Sequence, residues 1–158
     1  MSASYLEKMV PIAGSEQPIR MQLWDTAGSE RFKAINRIYY RDAVAALIVY
    51  DITKKDSMLV EAEHWIKDIK DNAPPNIIIA LAGNKADLYK KQEVSMNDLD
   101  TFANKHSITI KFETSAKTDK NINEVFQKIV QRIDETKDDI RKHKLNKGGG
   151  LRLGGDED

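Results

Sequence analysis

Residues Ser4 to Ile12 and Ile19 to Leu23 read as two short strands, the second alternating apolar and polar side chains with the period of a half-buried strand. Gly14-Ser15-Glu16-Gln17-Pro18 between them has hairpin-loop composition. Pro11 and Pro18 confine the ends of that pairing to an edge or a loop. Val44 to Tyr50 and Ile77 to Ala82 have a different character. Both are continuous apolar, β-branched runs, one ending in Asp51 and the other at Gly83-Asn84, as expected of parallel strands buried on both faces. Ser107 to Phe112 reads as a further strand, and Lys33 to Arg41 as a short helical or irregular segment.

Helical periodicity fills the intervals. Met58, Ala62, Trp65, Ile66 and Ile69 recur on one face, with Asp56 or Ser57 able to cap the start and Pro74-Pro75 preventing continuation. Ser95 to Lys105 predicts a shorter helix, Ser95 capping and Asp98 three residues on. Asn121 is expected to cap the last helix and Glu124 to close its box, ahead of the stripe Ile122, Val125, Phe126, Ile129, Val130 and Ile133. Beyond Ile133 the stripe thins into a charged extension, and Gly148 to Asp158 reads as a disordered tail. Strands alternating with helices imply an α/β domain with a mostly parallel sheet and helices on both faces.

Composition narrows the function classes. The 158 residues suit one domain with a core, and 41% apolar and 32% charged residues are ordinary for a globular chain. The formal net charge of zero gives no reason to expect nucleic acid as a partner. With no cysteine, the sequence holds no disulfide, thiolate metal site, Cys nucleophile or Cys-linked lipid. No apolar run approaches the ~18 residues of a membrane span, and the first residues lack a signal peptide's apolar core. A soluble, cytoplasmic chain is the expectation.

Candidate chemistry lies at three strand ends. Asp25-Thr26-Ala27-Gly28 follows the second strand; its carboxylate could hold hydrated Mg²⁺, and its glycine lets backbone N–H groups approach a phosphate. Gly83-Asn84-Lys85-Ala86-Asp87 offers a carboxylate able to accept from two adjacent N–H donors on a guanine edge. It also offers an amide able to bond N7 and a lysine stem able to cover the ring. Glu113-Thr114-Ser115-Ala116-Lys117 could read a purine carbonyl through the Ala116 N–H. Singly, each stretch is equally what an ordinary turn looks like.

Taken in order, Asp-Thr-Ala-Gly, Asn-Lys-Ala-Asp and Thr-Ser-Ala-Lys resemble the Ras superfamily of small GTPases. The stretches Trp24 to Phe32, Tyr39-Tyr40-Arg41 and Leu47 to Thr53 are similar to Rab signatures, and Pro75 to Leu88 to the early-endosomal Rab branch. The resemblance runs from about Ser2 to Ile133 and implies a three-layer fold like that of the P-loop NTPases. It implies that Asp25 holds Mg²⁺ through water and that Gly28 senses the γ-phosphate of GTP. Asn84, Lys85 and Asp87 would bind guanine, supported by Ser115, Ala116 and Lys117. Tyr5, Trp24 and Tyr39, with Phe32, match aromatics that Rabs present to effector proteins; their alternative is ordinary core packing.

The sequence also departs from that family. It contains no G-x-x-x-x-G-K-[ST] phosphate loop, and with it the family's first strand and first helix are absent. The expectation is a truncated small-GTPase domain over residues 1–141 with a flexible tail over 142–158. Its sheet would lack the central strand, it would not hold the standard arrangement alone, and its hold on GTP, GDP and Mg²⁺ would be weak. Ser29 stands where a Gln usually orients the attacking water, which implies slow hydrolysis. No carboxyl-terminal Cys pair is present, so membrane association would come from a missing amino-terminal segment or from partners, with endosomal membranes the implied location. The alternative is a nucleotide-free pseudo-GTPase that serves as a protein-binding subunit.

Overall fold

The computed structural model describes residues 4–25 and 40–146. Strands β1 (Ser4–Val10) and β2 (Ile19–Asp25) form an antiparallel hairpin. Strands β3 (Ala45–Asp51), β4 (Ile78–Asn84) and β5 (Ile110–Glu113) form a parallel sheet in the order β3-β4-β5. Among the described residues no strand joins the two sheets, and β3 keeps one edge without a ladder partner.

The buried runs explain the layers. Ile48 and Tyr50 of β3, with Leu81 of β4, face a cluster that includes Ile52, Met58, Ala62, Ile66 and Ile69. These come from a π-helical turn (Ser57–Ala62) and the helix α1 (Glu63–Asn72) that continues it. Leu99 and Phe102 of α2 (Met96–Lys105) complete this side. On the opposite face Ala80 and Ile110 meet Val125 and Ile129 of α3 (Ile122–Asn146), with Met21 of the hairpin and Leu47 packed against them. The expected α/β layering with helices on both faces is therefore present. Val49, on the strand face that Ala45 and Leu47 share, stays 58% exposed beside the open edge of β3.

Several local expectations are corrected. Strand β1 stops at Val10, not Ile12, because Pro11 has no N–H for the ladder. Strand β2 runs two residues further, to Asp25, so Trp24 pairs across from Tyr5. Strand β5 begins only at Ile110, because Ser107 turns the chain at φ 57°. Ser95 and Asp98 do form a capping box. Neither Asp56 nor Ser57 caps its helix by a side-chain bond: the Ser57 hydroxyl instead accepts from the Asp51 N–H at 3.0 Å and lies 2.6 Å from the Lys54 carbonyl. Asn121 also differs. It adopts φ 57° and donates its side-chain amide to the Glu113 carbonyl at 2.8 Å, tying the start of α3 to the end of β5.

Tyr50 is nearly inaccessible, and its hydroxyl has no hydrogen-bond partner among the described residues. Burial pushes its pKa far above the ordinary tyrosine value, with the Glu113 and Asp98 charges adding to the shift, so the group stays protonated. An unsatisfied buried hydroxyl is a cost rather than an asset. Tyr50→Phe is expected to leave the melting temperature unchanged or raise it by a few degrees. A fall of several degrees in thermal unfolding would contradict this reading.

Candidate functional site

The ends of β4 and β5 are laced together backbone to backbone. The Thr114 N–H donates to the Gly83 carbonyl at 2.8 Å, and the Ala86 N–H returns to the Thr114 carbonyl at 2.9 Å. Between these bonds Asn84 ends β4, Lys85 turns the chain in the left-handed region at φ 68°, and a 3₁₀ segment (Ala86–Lys91) begins. The turn brings Asp87 to Ser115, whose hydroxyl donates to Asp87 Oδ1 at 2.8 Å. Ser115 is fully buried and in turn accepts from the Thr118 N–H at 3.1 Å. Asn84 Oδ1 accepts from the Ala116 N–H at 3.1 Å.

These bonds occupy one atom each of Asn84 and Asp87. The Asn84 amide donor and the second carboxylate oxygen of Asp87 have no protein partner among the described residues. A free donor and a free charged acceptor, each on a side chain held through its other polar atom, suit a heterocycle presenting N–H groups on one edge and a ring nitrogen on another. Guanine has that pattern. The Ala116 N–H, which the sequence offers as a donor able to read a purine carbonyl, donates here to Asn84 Oδ1. Lys117 lies exposed beyond it.

The sequence reading did not find Asp51 and Thr53. Asp51 ends β3 in register with Asn84, and its Oδ2 lies 3.0 Å from Lys85 Nζ. Its Oδ1 accepts from the Thr53 N–H at 2.9 Å and the Thr53 hydroxyl at 2.6 Å. Burial pushes the Asp51 carboxyl up, but the Thr53 bonds and the Lys85 ammonium outweigh it and hold the pKa below the ordinary carboxylate value. The available signal was that Asp51 closes an apolar run as Asn84 does.

Beside Asn84 and Lys85 opens a cavity of about 600 Å³, also lined by Asp51, Lys54, Lys55, Asp56, Glu61 and Glu93. Three ammonium groups face four carboxylates there. A lining with that balance does not gather the charge of a triphosphate, whose binding in this chemistry rests on cations and converging N–H groups. The described residues thus fit the base of a guanine nucleotide and do not supply a phosphate cradle.

Asp25 is the exposed last residue of β2. Among the described residues no group of three or more carboxylate, His or Cys side chains gathers as a metal site. Gly28, Ser29, Phe32 and Tyr39 lie outside the described residues. Tyr5 and Trp24 are 44% and 47% exposed, and their ring centroids lie 4.6 Å apart at 50° across the hairpin. Core packing does not describe either ring. The Tyr5 hydroxyl donates to Glu7, which Arg20 also grips at 2.7 Å. The Arg20 bond, then the Tyr5 bond, hold the Glu7 carboxyl down to about 2. No helix among the described residues is long and apolar enough to cross a membrane.

A comparison with protein-family models matches residues 3–135 to the Ras family.

Proposed function

This chain belongs to the Ras family of small GTP-binding proteins, and from that premise we propose that it is a Rab-type protein of endosomal vesicle traffic. Its own residues read the guanine base through Asp87 and Asn84, with Ser115 and Ala116 holding both in place and the Lys85 stem covering the ring. The observation that carries this reading is the pair of free polar atoms on Asn84 and Asp87, each fixed from the β5 loop. A nucleotide bound there would bring its own phosphates and Mg²⁺. In this proposal Asp25, the last residue of β2, and Gly28 are the residues that meet them, and Ser29 makes hydrolysis slow. The Tyr5–Trp24 pair is a surface offered to effector proteins, and Phe32 and Tyr39 are assigned the same role from the family resemblance.

A fluorescent GTP analogue titrated into the chain tests the reading. Saturable binding that GDP displaces and ATP does not is expected. The absence of any displaceable binding at millimolar nucleotide would overturn it. The second reading, a nucleotide-free binding module, would then stand, favoured by the mixed charge of the cavity.

A further inference from the structure

We propose that Asp51 is a positioning residue for base recognition: it clamps the Lys85 ammonium so that the lysine stem is already laid out where a guanine ring would stack. The inference rests on the guanine-binding reading above. Lys85 emerges from a left-handed backbone position, and its side chain is half exposed. A lysine so placed samples many rotamers, and ordering them on ligand binding costs affinity. Here the ordering is done beforehand. Asp51 Oδ2 meets Nζ at 3.0 Å, and Asp51 is itself held by two Thr53 bonds to its other oxygen. The strand register that sets Asp51 opposite Asn84 places the clamp beside the base-reading amide. The competing account is local: Asp51 merely closes the strand end through Thr53, and its contact with Lys85 is incidental.

The two accounts separate experimentally. Asp51→Asn preserves an oxygen for the Thr53 bonds while removing the charge that holds Lys85. Guanosine affinity is expected to fall by about 1.5-fold to fivefold, the range of an exposed ion pair converted to an equilibrium constant. In a Lys85→Met background the same change should have no effect, because the clamped group is gone. Without any ligand, ¹⁵N NMR of the lysine ammonium groups should show the Lys85 signal sharpened by slow proton exchange in the wild-type chain and lost in Asp51→Asn. Thr53→Val, which removes the hydroxyl that steadies Asp51, should give a smaller loss of the same kind and serves if Asp51→Asn does not fold.

An unchanged Lys85 signal in Asp51→Asn would overturn the proposal, as would an equal loss of affinity with and without Lys85. If wild-type chain binds no guanosine, the guanine reading itself fails and takes this proposal with it. Binding by the wild type with no coupling to Lys85 defeats the clamp alone.

Discussion

Asp87→Ala is expected to weaken guanosine binding by about 10²-fold or more. The carboxylate would accept two N–H bonds from the base, each a bond to a charged group worth ~1.5–3 kcal/mol. Their joint loss corresponds to a factor of roughly 10² to 10⁴. The substitution also strips the acceptor from the buried Ser115 hydroxyl, which lies 2.8 Å from Asp87 Oδ1, so some thermal stability should go with it. Asp87→Asn separates the two effects. Its side-chain oxygen still accepts from Ser115, while its amide presents a donor where the base needs an acceptor. That variant should melt within a few degrees of wild type and bind guanosine as poorly as the alanine variant. Isothermal titration and thermal unfolding decide it, and either variant retaining affinity within threefold would remove Asp87 from the site.

Gly83→Ala should be the most damaging single methyl that the sheet can receive near the site. A Cβ built there would lie 2.6 Å from the Tyr50 hydroxyl oxygen, 2.8 Å from Tyr50 Cζ and 2.9 Å from Ile52 Cγ2. Both neighbours are buried and neither is the free end of a flexible chain, so the backbone of β4 must move. Overpacking of this kind costs ~1–3 kcal/mol, which lowers the melting temperature by roughly 3–10 °C for a domain of this size. The damage should extend to binding, because the Gly83 carbonyl accepts the Thr114 bond that laces the two loops. In a Tyr50→Phe background the cost should fall without vanishing, since Cζ and Ile52 remain. Melting of Gly83→Ala within a degree of wild type would show that the sheet relaxes more freely than the packing indicates.

What the sequence made legible follows from how local each signal is. The runs ending at Tyr50 and Ala82 were readable because strands buried on both faces need no partner residue to announce them. The Ser95–Asp98 box was readable because all of its bonds close within one turn. Ser57 was misread because its hydroxyl serves the end of β3, six residues back and in another element. Asn121 was misread for a related reason: its amide satisfies a carbonyl of β5 rather than its own helix.

The residues proposed to read the base stood out through their spacing, but the division of labour among their atoms did not. Nothing in the string Thr-Ser-Ala-Lys indicates that the Ala116 N–H serves Asn84, or that Ser115 is buried to orient Asp87. Asp51 was missed because an acid closing a strand is common, and its importance lies in a register that only the folded sheet reveals. Among the described residues β3 keeps one edge without a ladder partner, and that edge carries a consequence of its own. A seven-residue edge without a ladder partner among the described residues, with Val49 exposed, is a site for unwanted strand pairing. Val49→Lys is expected to reduce concentration-dependent association, read by light scattering; association unchanged by the substitution would place the sticky surface elsewhere.

Among the described residues the base half of the proposed guanine-nucleotide site is present and a phosphate cradle is not. Site-resolved NMR of the Asn84 side-chain amide and the Ala116 N–H, titrated in parallel with guanosine, GTP and adenosine, tests it most directly. The account predicts shifts at both groups with guanosine and GTP, affinities within about tenfold of each other, and no response to adenosine. That tolerance amounts to about one charge-assisted hydrogen bond. GTP binding a thousandfold tighter than guanosine, or adenosine shifting the same signals equally, would contradict it.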